Sequence, residues 1–127
     1  MPPCYLILSL IVSLVLSFEL KGKYSGKYPK TDPVITVNMT FRDDVFDFEA
    51  THAGKFATAQ GVPFRRDSTD KIHIATAHEE LVKAFMELNC PTSPSATLEG
   101  LKYDDKKNRV WKRYYVFGKF ILYHIET

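Results

Sequence analysis

The chain is nearly without cysteine. Of two in 127 residues, Cys4 lies in an apolar leader, which leaves Cys90 as the single thiol beyond it. One thiol closes no internal disulfide, so a disulfide-stapled secreted scaffold is excluded. Charge is absent from residues 1–17, and all 17 Lys and Arg and all 15 Asp and Glu therefore fall in 18–127. Their balance of +2 is too small for a whole-surface nucleic-acid binder or an acidic tail. The apolar run is shorter than the roughly 20 residues that cross a bilayer. No internal repeat of domain length appears, and the length suits one domain rather than two cores.

What the leader does hold is the pattern of a secretion signal. Cys4 to Ser17 is apolar, charge begins at Glu19 and Lys21, and Val15 and Ser17 supply small residues at the −3 and −1 positions of a cleavage site. Residues 1–17 are thus expected to be a signal peptide, and the mature chain, without a transmembrane span, to be secreted. Asn38-Met39-Thr40 is the single N-x-T sequon, which makes Asn38 the expected glycosylation site of an exported chain.

Along the mature chain, Lys21 to Lys30 repeats Gly-Lys-Tyr once, and with Pro33 beyond it the segment 18–33 reads as an extended arm. Val34 to Phe41 alternates strictly, with Ile35, Val37, Met39 and Phe41 on one face and Thr36, Asn38 and Thr40 on the other, the signature of a half-buried strand. Strands follow at Phe46 to Ala50, Lys55 to Ala59 and around Ile72 and Ile74. Thr76 and Glu79 fit a capping box, and Leu81, Val82, Phe85 and Leu88 recur at helical spacing, which predicts an amphipathic helix over about 76–89. Residues 90–96, with two prolines, read as a linker. Thr97 to Tyr103, Arg109 to Phe117 and Phe120 to Glu126 read as strands, the last two joined by a tight turn at Gly118-Lys119. The expected class is α+β, predominantly antiparallel sheet with one helix, in a single domain over 34–127.

Several constellations bear on chemistry. His73 and His78 lack the spacing of a zinc site, and no motif calls for a metal or another cofactor. His52 and His124 are the one pair compatible with acid–base work, in the manner of a small secreted nuclease. The carboxylates Asp43, Asp44, Asp47 and Glu49 read as a solvated turn and strand face rather than a glycosidase pair. Arg65-Arg66 is a dibasic pair, either a processing site or exposed loop charge. The sharpest feature is 102–119, where Lys102, Lys106, Lys107, Arg109, Lys112, Arg113 and Lys119 stand against Asp104 and Asp105, a local excess of +5 among aromatic residues. Either this is a basic hairpin kept soluble by charge, or it binds an anion through Lys106, Lys107, Lys112 and Arg113.

Two resemblances arise on these residues. Pro33-Val34-Ile35-Thr36-Val37-Asn38-Met39, Asp44-Val45-Phe46-Asp47-Phe48, Gly54-Lys55-Phe56-Ala57-Thr58, Phe64, Ile72 to Ile74 and Val82 together resemble the FAINT domain, a module of secreted proteins in tick-borne apicomplexan parasites. That likeness covers about 33–116 and implies a host-exposed, non-catalytic module with no active-site residues to carry over. Leu98 to Tyr103, Val110 to Phe117 and Leu122-Tyr123 resemble the opening strands of a pleckstrin-homology domain. This second likeness covers about a quarter of the chain and implies basic residues that bind inositol phosphates. The expected function is therefore a secreted, non-enzymatic binding module facing an unidentified host or surface protein. An anionic ligand is the second reading, a His-dependent nuclease the third, and sequence-specific nucleic acid is not expected.

Overall fold

The computed structural model describes residues 18–28, 33–114 and 118–125; the expected signal at 1–17 lies outside them. Eight strands follow one another as β1 (Gly22–Tyr28), β2 (Ile35–Phe41), β3 (Val45–His52), β4 (Lys55–Arg66), β5 (Ile72–Ile74), β6 (Lys102–Asp104), β7 (Arg109–Tyr114) and β8 (Gly118–Ile125). Two helices, α1 (Glu79–Glu87) and α2 (Pro94–Leu98), stand between β5 and β6. The α+β class expected from the sequence is overturned. All eight strands lie in one sheet in the order β5-β4-β3-β2-β1-β8-β7-β6, antiparallel at every step. The two ends of that order meet at a bridge between Lys71 and Lys102, flanked by bonds from the Ile72 N–H to the Leu101 carbonyl and from the Tyr103 N–H to the Asp70 carbonyl, each 2.8 Å. The result is a nearly closed barrel-like sheet with two short helices, not a sheet with a separate helical layer.

The closure rests on β1, in the segment that composition presents as an arm. Tyr24 and Tyr28 are buried on its inner side, while Lys23, Ser25 and Lys27 face out. The strand pairs with β2 along its whole length and with β8 from Lys23 to Ser25. Tyrosine at alternate inward positions is what makes it a strand, since each ring supplies a large buried surface. Tyr24 meets Phe41 and Tyr103 edge-on, and Tyr28 meets Tyr114 and Phe120.

The inner faces of β2 and β3 supply Ile35, Val37, Met39, Phe41, Phe46 and Phe48, all buried. At the β3–β4 turn Ala53 (φ 53°) and Gly54 (φ 79°) are both left-handed, the backbone of a two-residue hairpin whose twist matches its strands. β4 does not stop at Ala59. It continues through Gly61 (φ 65°) by a register shift between Phe46 and Phe48, where Asp47 Oδ1 accepts from the Gly61 N–H at 2.9 Å. A carboxylate that is exposed charge in the sequence is thus the clamp of a bulge.

The helix between β5 and α2 is shorter than expected. Its N-cap is His78, without a side-chain cap bond, so the capping box of Thr76 and Glu79 does not form. It ends where Asn89 turns left-handed (φ 52°). Leu81, Ala84, Phe85 and Leu88 are buried, and Phe85 stacks on Phe48 at 5.4 Å, which holds α1 on the inner side of the sheet. The expected strand from Thr97 is also corrected. Ser93 caps α2 by accepting from the Ala96 N–H at 3.2 Å, with Pro94 at the first turn, and the strand begins only at Lys102.

Near the seam, Asp67 holds the β4–β5 turn. Its Oδ1 accepts from the Thr69 hydroxyl and from the N–H groups of Thr69 and Lys71, and its Oδ2 lies 2.8 Å from His73 Nε2. The Thr69 hydroxyl, His73 and these N–H groups hold the Asp67 carboxyl well below its ordinary value of 3.8. A carboxyl depressed in the folded state stabilises at neutral pH, and that contribution is lost as pH falls below the ordinary value. Asp67→Asn is expected to flatten the acid limb of the stability–pH curve between about pH 4 and about pH 2. Urea melts in that window check it, and an unchanged acid limb would remove Asp67 from the account.

Candidate anion-binding face

The gap bounded by Tyr28, Ile35, Val37, Phe48, Phe85, Cys90, Thr92 and Thr97 measures about 10 Å³, at most the room for one water. Cys90 is a free, half-buried thiol, and burial pushes its pKa up, away from a reactive thiolate. Larger open clefts lie elsewhere, among them one of about 400 Å³ between the helices that Val82, Phe85, Met86 and Pro94 help to line.

The outside of β6–β7–β8 carries a cluster organised by one aromatic ring. Along β7, Val110 is buried, Tyr114 packs against the core, and Trp111 and Arg113 take the opposite side. The register places Lys102 beside Trp111 across β6 and Lys119 beside Arg113 across β8. The Lys102 ammonium stands over the Trp111 ring at 5.6 Å from its centroid, and that of Lys119 at 6.0 Å. The two ammoniums are therefore within about 12 Å of each other. Each such contact with an exposed ring contributes about 0.5–1 kcal/mol. Mutual repulsion of two charges in water is about 0.3 kcal/mol at that upper limit and about 0.7 kcal/mol at half of it. The ring thus holds the pair together at little cost. Lys102, Arg113 and Lys119 are exposed and make no ion pair among the described residues. Lys102, Trp111, Lys112 and Arg113 border a shallow open cleft of about 370 Å³.

Of the four residues expected to bind an anion together, the structure separates two, Lys106 and Lys107, from this cluster. Lys106 and Lys107 are exposed at the β6–β7 turn, where their N–H groups bond Asp104 Oδ1 at 3.1 and 3.2 Å. That turn is at the far end of β7 from Arg113, roughly 15 Å along the strand. Lys112 turns to the other side. Its ammonium donates to the Ala96 carbonyl at 2.9 Å and lies 4.8 Å from the centre of the Tyr114 ring. Desolvation there lowers its pKa, with Glu99 opposing the shift. Arg113 and Lys112 both line the cleft, but only Arg113 leaves its charge free for it. Lys102 and Lys119 were visible as basic residues, but only cross-strand pairing brings them to Trp111. Arg109, on the same face, is matched by Asp104 at 3.5 Å.

The remaining candidates are placed as follows. His52 Nδ1 lies 2.7 Å from the Leu88 carbonyl oxygen, and His124 packs edge-on against Tyr24. They stand on β3 and β8, three strand spacings apart, about 14 Å along the sheet, so they share no reacting centre. Among the described residues no group of three or more His, Cys, Asp or Glu side chains converges. Asn38 is half-buried in mid-strand between Ser25 and Glu49, its Oδ1 covered and without a hydrogen-bond partner among the described residues. Arg65 and Arg66 belong to β4 and pair with β5. Arg66 also binds Asp70 at 2.7 Å and lies over Tyr103, so the dibasic pair is part of a hydrogen-bonded ladder rather than an open loop.

The fold and this face define a small, nearly closed, barrel-like antiparallel sheet that presents a cation-flanked tryptophan outward. No family model, no curated protein and no solved structure matches the chain. No helix among the described residues is long and apolar enough to cross a membrane.

Proposed function

We propose that the protein is an exported, non-catalytic binding module that holds phosphate or sulfate groups on the face formed by Lys102, Trp111, Arg113 and Lys119. The carrying observation is the pair of ammoniums held over Trp111 with Arg113 beside them, none of the three in an ion pair among the described residues. The cations stand in place before a ligand arrives, which lowers the ordering cost of binding. The apolar leader and the likeness to the FAINT domain support export and a host-facing role. The likeness of the hairpin to the first strands of a pleckstrin-homology domain agrees with an anionic ligand, held by different residues from those at its turn.

Heparin serves as the soluble probe. Its affinity is expected to fall as salt rises, since each neutralised anion releases counterions. The double substitution Lys102→Glu with Lys119→Glu is expected to weaken it by at least about tenfold. Lys106→Glu with Lys107→Glu is the control and is expected to change it far less. Binding that ignores salt, or a Lys102/Lys119 variant that binds like the parent, would overturn this reading.

A further inference from the structure

The outer face does not end at the tryptophan. β8 alternates, with Phe120 and Leu122 buried and Ile121, Tyr123 and Ile125 on the side that carries Trp111. Tyr123 is 56% exposed and Ile125 39%. Tyr123 pairs with Arg109 on one side and Ser25 on the other, and Ile125 pairs with Lys23. β1 adds Lys23 and Lys27 to the same face. The only carboxylate on these four strands' outer side among the described residues is Asp104, which Arg109 occupies. Cations and exposed apolar side chains are therefore interleaved over β6–β7–β8–β1.

A soluble polyanion has use for the cations alone and leaves Tyr123 and Ile125 in water. An anionic bilayer offers both partners. Its headgroups meet Lys and Arg, tryptophan and tyrosine rings lie at headgroup level, and aliphatic side chains reach the acyl boundary. Resting on the anion-binding reading, we infer that this face docks on an anionic lipid bilayer. Lys102, Arg113 and Lys119 meet the headgroups there, and Trp111, Tyr123 and Ile125 enter the interface.

Trp111 is the single tryptophan of the chain, so its emission reports on this face directly. Phosphatidylcholine vesicles with phosphatidylserine are expected to shift that emission to the blue, and brominated acyl chains to quench it. Vesicles of phosphatidylcholine alone are expected to do neither. Tyr123→Ser with Ile125→Ser is expected to weaken binding to the anionic vesicles by at least about tenfold while heparin affinity stays at the parent's value. Circular dichroism confirms that the variant is folded, and quenching by brominated lipid in the parent needs no variant at all. Heparin binding without a blue shift on anionic vesicles, or a variant that binds them like the parent, would overturn the bilayer and leave a soluble polyanion as ligand. Failure of the parent to bind heparin would instead overturn the anion-binding reading itself.

Discussion

Gly26→Ala is expected to cost the fold about 3 kcal/mol or more, a large part of the roughly 5–15 kcal/mol that holds a domain of this size. Gly26 lies on the inner side of β1 between Tyr24 and Tyr28. A Cβ there would fall on the Ile121 carbonyl oxygen and within 2.9 Å of Leu122 Cδ2. The carbonyl belongs to the backbone of β8, and β1 is held on its other edge by β2 from Gly22 to Tyr28. Neither strand has room to withdraw without breaking its ladder. The cost is one of space, since the backbone at Gly26 is not left-handed. Thermal melts should show a fall in Tm on the order of 10 °C, or no soluble protein. Gly54→Ala is the comparison: its Cβ meets nothing within 4 Å, but φ is 79°, so only conformational strain of about 1 kcal/mol is expected. A Gly26→Ala variant that melts with the parent would show that β1 and β8 do not approach in this way.

Asn108→Ala is expected to follow at about 3 kcal/mol, by a different mechanism. Asn108 Oδ1 accepts from the hydroxyls of both Tyr24 (2.5 Å) and Tyr103 (2.7 Å), whose rings are buried. Burial pushes both phenols above their ordinary pKa, so both arrive as donors. Without the amide, Tyr24 retains a 3.3 Å bond to the Glu19 carbonyl, and Tyr103 retains the Tyr24 hydroxyl as a hydrogen-bond partner. Each of the two hydrogen bonds lost with the amide contributes about 0.5–1.5 kcal/mol net. Asn108 is also left-handed (φ 50°), a conformation that alanine resists by about 1–2 kcal/mol. Asn108→Gly relieves the backbone and not the hydroxyls, and Asn108→Asp keeps an acceptor. The order of stability in urea should be Asp, then Gly, then Ala. A glycine variant as stable as the parent would mean that the two hydroxyls draw nothing from Asn108.

The parts of this molecule that were legible before its structure are those encoded by neighbours in the chain. Strict alternation announces β2, because a strand with one wet and one dry face writes both into its sequence. The same parity separates Lys112 from Arg113. The turn at Ala53-Gly54 and the end of α1 at Asn89 are local backbone matters, readable from residue type. β1 was illegible as a strand because Gly-Lys-Tyr is turn-like in composition and its partners, β2 and β8, lie at 35–41 and 118–125. Thr97 looked like the start of a strand because its hydroxyl and branching suit one. It belongs to α2 instead, where Pro94 and the Ser93 cap start a helical turn.

By itself, then, the sequence determined an apolar leader, a set of alternating segments and a concentration of basic and aromatic residues near the C-terminal end. Alternation states that a segment has two faces without stating which strand lies beside it. Tertiary structure alone decided that β1 joins β2 to β8 and that Lys71 meets Lys102 to close the sheet. It also decided that Lys102 and Lys119, 17 positions apart, share one tryptophan while Lys106 and Lys107 stand off at a turn. Those choices depend on contacts between distant segments, whose closure entropy is recovered only when the core is packed.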